Sequence, residues 1–190
     1  MATERQSAAT TVASFPEPPL ARKLLAETTY SWIWLVLRAW LGWQWLTAGL
    51  GKVGSPAWTG ENAGAAVTGF VGRALEAGVP GWYAAFLEGV VLQVAPLFGF
   101  MVAFGELMIG LALILGALTG LAAFFGTLMN LAFLFAGTVS SNPLFFVIGT
   151  WLVLSWRVAG WYGLDRILLP KLGTPWHPGT LFRRAEDSEA

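Results

Sequence analysis

The sequence lacks cysteine altogether and contains a single histidine, His177. Without cysteine, this chain alone cannot form disulfides, iron–sulfur clusters or thiolate zinc sites. One histidine also excludes a bis-histidine haem, and His177 would stand alone as a metal ligand, so we predict no metal site. Redox chemistry would therefore need a cofactor held by a partner, or a diffusible quinone, because we expect this chain alone to bind none.

Charged residues are also scarce. Only 12% of the 190 residues are charged and 56% are apolar, whereas about 25% of a typical soluble domain is charged. Between residues 89 and 155 the one ionisable side chain is Glu106. A soluble domain would need more polar surface, so lipid is the predicted solvent for much of the chain. The net charge of zero gives no reason to expect nucleic acid as a partner.

The long apolar runs predict an all-α, polytopic membrane protein with a bundle of four transmembrane helices. A bilayer core about 30 Å thick needs about 20 helical residues. The apolar stretch 96–136 would form a helix about 60 Å long, so it must fold back, and residues 116–120 supply the break. The predicted spans are about 30–50, 97–117, 119–137 and 144–161.

The region between the first two predicted spans is more polar. Apolar residues at helical spacing from Val67 to Leu75 predict an amphipathic helix that is too short to span. Pro80 ends this helix, and a second short helix is predicted over residues 82–94. We expect both short helices to lie at the membrane surface.

Three regions follow from this pattern: a disordered cytoplasmic tail over 1–28, the membrane domain over 29–171, and a second cytoplasmic tail over 172–190. The segment 52–88 contains only two basic residues, Lys52 and Arg73, whereas both ends of the chain contain several. Because basic residues favour the cytoplasmic side, both termini are predicted to be cytoplasmic. The basic residues near the ends are Arg5, Arg22, Lys23, Arg166, Lys171, Arg183 and Arg184.

Polar side chains inside predicted spans are candidates for function because each costs about 2.5–3.5 kcal/mol on insertion scales when charged. Arg38, Glu106 and Asn130 fall at depths that differ by only about 5–6 Å at 1.5 Å per residue. We expect a buried polar layer in which Arg38 pairs with Glu106 and Asn130 lies nearby. Two interpretations stay open: a quinone or proton site, and a layer that only fixes helix packing.

Further side chains extend this hypothesis. Gln44 lies further out on the first span and is a candidate member of the layer. Glu88 lies near the outer interface, where it either receives a proton from a quinol or is simply solvated. Trp40, Trp43 and Trp45 lie deeper than an interfacial belt, and their rings either flank a flat quinone or pack against neighbouring helices.

The order of several short motifs resembles the DoxX/DoxD-like family over residues 30–176. The first span contains an arginine, in Leu37-Arg38, and is followed by the terminal Gly51-Lys52. The other matching motifs are Trp82-Tyr83, Phe86-Leu87-Glu88, Phe104-Gly105-Glu106, Met129-Asn130-Leu131, Ser141-Asn142-Pro143 and the run from Trp156 to Arg166. The resemblance implies a four-helix protein of the bacterial or archaeal cytoplasmic membrane. The DoxD type is the small subunit of thiosulfate:quinone oxidoreductase, but the family has no agreed catalytic residues to carry over.

We therefore expect a membrane subunit of a quinone-linked oxidoreductase complex, without a redox centre of its own. It would anchor a redox partner subunit in the lipid bilayer and hold a quinone head group near Arg38 and Glu106. Two alternatives stay open: a non-catalytic scaffold for cytoplasmic detoxification or redox enzymes, and a small transporter. The transporter would have to be a homo-oligomer, since four spans rarely suffice alone.

Overall fold

The computed structural model describes residues 16–174 and 177–182, and these residues are mostly helical, which confirms the all-α class. The first elements are α1 (Pro19–Leu25), a 3-10 turn (Thr28–Tyr30), α2 (Ser31–Val53), α3 (Pro56–Thr59) and α4 (Ala65–Glu76). Next come α5 (Gly81–Phe86), a π-helical turn (Leu87–Val91), a 3-10 turn (Leu92–Val94), α6 (Ala95–Leu115) and α7 (Thr119–Phe135). The last are α8 (Asn142–Leu154), α9 (Trp156–Ala159), α10 (Asp165–Leu172) and an antiparallel pair of strands, β1 (Gly173–Thr174) and β2 (His177–Pro178).

One helix within the described residues is long and apolar enough to cross a membrane. It runs from Gly81 to Leu115, 35 residues, through α5, the two turns and α6, and an 18-residue stretch of it has a mean hydropathy of 2.2. The helices Thr119–Phe135 and Asn142–Leu154 are apolar but shorter. The predicted arrangement of four spans therefore stays a prediction.

The sequence predicted a short helix over 82–94 that is separate from the second span. The structure corrects this, because the same residues belong to one helical run with α6. The helical run from Gly81 to Leu115 includes the π-helical and 3-10 turns, and Pro96 does not end it because it lies in the first turn of α6, where no backbone donor is needed. Helices α4 and α5 pack together, since Val67 and Val71 of α4 share one buried cluster with Tyr83 and Leu87. Their predicted position at the membrane surface stays a prediction.

Helices α2 and α6 make the most extensive contact in the fold, and glycines bring their backbones together. An added Cβ at Gly49 would collide with the backbone of Leu107, and one at Gly110 would collide with the backbone of Leu46. Small residues at these positions allow close helix packing in a membrane. The two helices run antiparallel, since residue 46 faces residue 110 and residue 49 faces residue 107.

The predicted break between the second and third spans is confirmed. Helix α6 ends at Leu115, and both Gly116 and Leu118 adopt left-handed backbone conformations, with φ of 63° and 47°. Helix α7 then begins at Thr119 and runs back along the bundle. The end of α2, the start of α6 and the end of α7 consequently lie on one side of the molecule.

The described part of the predicted N-terminal tail is not wholly irregular. Residues 19–25 form α1, which begins at a proline in its first turn, and Leu24 and Leu25 pack against the main core. Trp34 Nε1 donates to the carbonyl oxygen of Leu24 at 2.8 Å, which ties α1 to α2. Residues 1–15 of that tail, and residues 175–176 and 183–190 of the other, lie outside the described residues.

Candidate functional site

Arg38 is buried and its guanidinium binds backbone carbonyl groups. Nη1 donates to the carbonyl oxygens of Leu113 at 2.6 Å and Ile114 at 2.9 Å. Nη2 donates to the carbonyl oxygen of Tyr162 at 2.9 Å. The first two acceptors belong to the last turn of α6, whose carbonyls have no partner within the helix and attract a cation.

Asp165 completes this arrangement from the other side of the α6–α7 turn. Its carboxylate accepts hydrogen bonds from the backbone N–H groups of Leu118 at 2.5 Å and Thr119 at 2.8 Å, at the start of α7. It also interacts electrostatically with Arg38. Arg38, Asp165 and the backbone groups that they bind are called the Arg38 junction below. They join α2, α6 and α7 to the start of α10 and the segment before it.

The predicted pair between Arg38 and Glu106 does not form. Residue 49 faces residue 107 across the α2–α6 contact, so residue 38 lies at the level of the α6–α7 turn. The two side chains are consequently separated by roughly 17 Å along the helix axes, at 1.5 Å per residue. The prediction failed because depth was counted from the end of each span, whereas α2 begins about three turns beyond the end of α6.

Glu106 pairs instead with Lys52 from the end of α2. Lys52 Nζ lies 2.5 Å from Glu106 Oε2, and the two side chains are 22% and 3% exposed. The ammonium group also lies 5.3 Å from the centre of the Trp58 ring, within the range of a cation–π contact. A lysine at a helix end is ordinarily solvated, so nothing in the sequence pointed to this pair except its terminal Gly51-Lys52 motif.

Lys52 and Glu106 border a cavity of about 450 Å³ between the helices, called the central cavity below. This volume lies within the range of about 300–1,000 Å³ typical of small-molecule sites. Its walls are mainly apolar and aromatic, and polar side chains contribute at two places, the Lys52–Glu106 pair with Gln44 and the loop before α8. Lining residues include Trp45, Trp58, Val67, Phe70, Tyr83, Phe86, Val91, Phe98, Val102, Phe133, Thr138, Ser141, Asn142 and Phe145.

The predicted site residues are thus divided among different places. Gln44 and Glu106 line the central cavity, whereas Arg38 belongs to the junction. Asn130 is buried, at 1% exposure, and its amide has no hydrogen-bond partner within the described residues. Glu88 is exposed and does not line the cavity. Of the predicted layer, the central cavity therefore brings together Gln44 and Glu106 but not Arg38.

Residues missed at the sequence level are Lys52, Asp165 and Tyr83. Tyr83 donates its hydroxyl to the carbonyl oxygen of Ala132 at 2.8 Å and so joins α5 to α7 at the cavity wall. Its neighbour Trp82 is exposed, and the Trp82-Tyr83 motif gave no sign that the two rings face different surroundings. Among the described residues, no group of three or more His, Cys, Asp or Glu side chains is placed to hold a metal ion.

A comparison with protein families identifies the chain more directly. A family model described as TQO small subunit DoxD matches residues 33–178, well over half of the chain. No curated protein and no solved structure gives a significant match. The matched region contains the Arg38 junction and every residue that lines the central cavity.

Proposed function

This chain belongs to the DoxD family, and from that premise we propose that it is the membrane subunit of a thiosulfate:quinone oxidoreductase-like complex, with its central cavity holding the quinone ring. The family is membrane-associated, and its description as a small subunit implies a partner subunit. The partner would carry the redox centre that oxidises the donor. Electrons would pass from it to the quinone, which takes up two electrons and two protons to become quinol.

The observation that carries this proposal is the character of the central cavity. A quinone has a flat apolar ring with polar oxygens at its edge, and the cavity combines aromatic walls with few polar groups. Trp45 and Phe145 have ring centres 6.4 Å apart, and both line the cavity. The Lys52–Glu106 pair supplies a charged, hydrogen-bonding wall that a purely structural void would not need.

The proposed orientation follows from the basic residues of the sequence. With both termini in the cytoplasm, the cavity and the Lys52 end of α2 would lie toward the opposite face. The partner subunit would then either dock on that face or transfer electrons across the bundle. Locating Lys52 and a residue of the C-terminal tail by cysteine labelling in sealed vesicles distinguishes the two orientations, since the native chain has no cysteine.

The experiment that tests the proposal has two parts. First, the full chain is purified in mild detergent from its own membranes, and co-purifying proteins and extractable quinone are identified by mass spectrometry. We expect a redox partner subunit and quinone. Second, the purified chain in lipid nanodiscs is titrated with a short-chain quinone, and quenching of tryptophan fluorescence reports binding near Trp45 and Trp58.

A matched pair of variants ties that binding to the cavity. Val102→Phe adds bulk to the cavity wall, whereas Val147→Phe adds the same bulk to an exposed position of α8. We expect Val102→Phe to lower quinone affinity at least tenfold and Val147→Phe to leave it unchanged. Recovery of the chain alone, without quinone or quenching, would overturn the proposal in favour of a scaffold.

A further inference from the structure

Lys52 lies at the end of the face that α2 turns toward the central cavity. Gln44, Ala48 and Lys52 all line the cavity and are spaced four residues apart, so they form one stripe along the helix. A stripe on α6 passes from Val102 to Glu106 at the same spacing. The two charged side chains therefore project from helix faces that border the same space.

Two contacts hold the ammonium group of Lys52 at the cavity wall. Its Nζ lies 2.5 Å from Glu106 Oε2 and 5.3 Å from the centre of the Trp58 ring. Both partners line the central cavity, so the charged end of the lysine is fixed beside that space. A lysine side chain loses rotamer freedom when it binds a ligand, and contacts that already restrict it lower this cost. The ammonium group is therefore preorganised for a ligand in the cavity.

The ammonium group also retains hydrogen-bonding capacity. It has three N–H donors and no acceptor. Within the part of the chain that the structure describes, Nζ donates one hydrogen bond, to Glu106 Oε2. The Lys52 side chain is 22% exposed, so its other N–H groups can reach water or an acceptor in the cavity. A carbonyl oxygen of a bound quinone is such an acceptor.

Lys52 is also the lining residue with a proton to give. Three side chains of the described cavity wall are titratable, those of Lys52, Tyr83 and Glu106. Tyr83 already donates its hydroxyl hydrogen to the carbonyl oxygen of Ala132 at 2.8 Å. Glu106, paired with a lysine, is an acceptor and carries no proton as a carboxylate. Lys52 alone of these three combines a transferable proton with N–H groups that are not bound to the protein.

We propose that Lys52 is a catalytic residue of quinone reduction: its ammonium group donates a hydrogen bond to one ring oxygen of the bound quinone and transfers its proton to that oxygen once the ring has been reduced. This inference rests on the proposed function, since it names the proton donor of that site. Lysine suits both parts of this role, because it is a charged donor that can also release its proton, whereas arginine stays protonated.

The step balances with the groups already named. The partner subunit supplies two electrons, which make the ring oxygens strongly basic. An Nζ–H bond of Lys52 then breaks and an O–H bond forms, which leaves Lys52 as a neutral amine. The amine regains a proton from water, because the neighbouring Glu106 carboxylate favours the charged form of the lysine. The second ring oxygen also takes its proton from water, so one quinone, two electrons and two protons become one quinol.

The test compares two substitutions that separate hydrogen bonding from proton transfer. Lys52→Arg keeps a positively charged donor that holds its proton, whereas Lys52→Met removes donor and proton together. Affinity for a short-chain benzoquinone is measured by tryptophan quenching of the full chain in lipid nanodiscs. Turnover is measured on the complex, purified with its partner subunit, as reduction of the same quinone by thiosulfate. Lys171→Arg and Lys171→Met are matched controls, because Lys171 is exposed and lies outside the cavity lining.

We expect Lys52→Arg to keep quinone affinity within about threefold of the wild type and to lower turnover about a hundredfold, the scale of a lost general acid. Lys52→Met should also weaken binding about tenfold, since a charge-assisted hydrogen bond is lost. Both Lys171 variants should match the wild type. Lys52→Met leaves Glu106 unpaired, so if it fails to fold, its combination with Glu106→Gln takes its place and should show the same two losses.

A specific rescue is available because this chain has no cysteine. Lys52→Cys should lose turnover as Lys52→Met does, and alkylation with bromoethylamine then rebuilds a side chain of lysine length that ends in an ammonium group. We expect this reagent to restore turnover and bromoethyl-trimethylammonium, whose charged end has no N–H, to fail. The wild-type complex treated in parallel controls for cysteines of the partner subunit. Equal rescue by both reagents would contradict the inference, since charge alone would then be sufficient.

Wild-type turnover in Lys52→Arg would overturn the inference, because a charged hydrogen-bond donor would then be enough. Unchanged affinity and turnover in Lys52→Met, or in its double variant, would show that Lys52 does not touch the quinone. Both results leave the proposed function standing, because the wild-type complex still binds and reduces quinone. A wild-type complex that does neither would instead refute the proposed function, and this inference with it.

Discussion

Helix α2 carries two basic side chains, Arg38 in its first half and Lys52 at its end, and their surroundings differ. Arg38 is enclosed by the carbonyl oxygens of Leu113, Ile114 and Tyr162. Glycines allow the backbone to pack closely around its guanidinium. Lys52, about 21 Å further along the helix at 1.5 Å per residue, borders a cavity and is partly exposed. Arg38 therefore binds backbone groups in a closely packed junction, whereas Lys52 lies at the wall of the central cavity.

The close packing around Arg38 shows what a structural buried charge requires. An added Cβ at Gly116 would lie 2.7 Å from the guanidinium, and one at Gly163 would lie 2.9 Å from Nη2. No ligand can enter there without displacing backbone. Arg38 Nε also has no hydrogen-bond partner among the described residues, so unused hydrogen-bonding capacity does not by itself distinguish the two ends of α2. Glu106 differs because it lies beside the free volume of the central cavity. Burial alone therefore does not identify a functional charge, whereas free volume beside it does.

The largest effect that would test this comparison is expected from Arg38→Met. The substitution leaves three carbonyl groups and Asp165 without their cationic partner, and removing one member of a buried charged set costs about 3–5 kcal/mol. Thermal unfolding in detergent, followed by circular dichroism, should show a large loss of stability. Arg73→Met, at an exposed position of α4, is the control and should be nearly neutral.

A smaller effect is expected from Asp165→Ala. The variant loses the two hydrogen bonds that hold the start of α7, and loss of such a helix cap typically costs about 0.5–2 kcal/mol. Because Arg38 also loses a nearby negative charge, we expect about 2 kcal/mol in the same unfolding assay. Glu76→Ala removes an exposed acidic side chain from α4 and serves as the control. Equal stability of the two variants would show that Asp165 does not support the junction.

The sequence predicted which polar side chains are buried in the helices, but not which of them contact one another. Apolar runs interrupted by single polar residues correctly predicted that Arg38, Glu106 and Asn130 are buried, and Gly116 correctly marked the turn before α7. Pairing depends on how far one helix is shifted along another. That shift is fixed by the contacts of Gly49 and Gly110 with the opposite backbone, and helical periodicity does not encode it.

The same limit explains why Asp165 and the continuity of α5 with α6 were missed. Asp165 caps α7, which begins 46 residues earlier in the chain, so the sequence around the start of α7 contains no capping residue that predicts it. Pro80 lies between α4 and α5, so the predicted end of the amphipathic helix there is correct. Pro96 lies in the first turn of α6 and does not end the helical run, and the π-helical turn Leu87–Val91 absorbs the irregularity between the two prolines.

The position of α2 along α6 determines where Arg38 and Lys52 lie, and Gly110→Ala tests what fixes that position. The added Cβ would meet the backbone of Leu46, so α2 and α6 must separate or slide, and overpacking of this kind costs about 1–3 kcal/mol. Gly72→Ala is the control, because nothing lies within 4 Å of its added Cβ. That change should stabilise α4 by about 0.5–1 kcal/mol. Destabilisation by both changes to the same extent would mean that the close contact at Gly110 does not set the helix spacing.

The smallest effect on stability is expected from Glu106→Gln. This variant tests most directly whether the surroundings of Arg38 and Lys52 differ in role. The amide can still accept a hydrogen bond from Lys52, the partly exposed ammonium can reach water, and the cost of burying a carboxylate disappears. We therefore expect the free energy of unfolding to change by about 1 kcal/mol or less, against the much larger loss for Arg38→Met. The unfolding assay in detergent measures both variants side by side. A loss as large as that of Arg38→Met would mean that the Lys52–Glu106 pair, like the Arg38 junction, is there to hold helices together rather than to face a ligand.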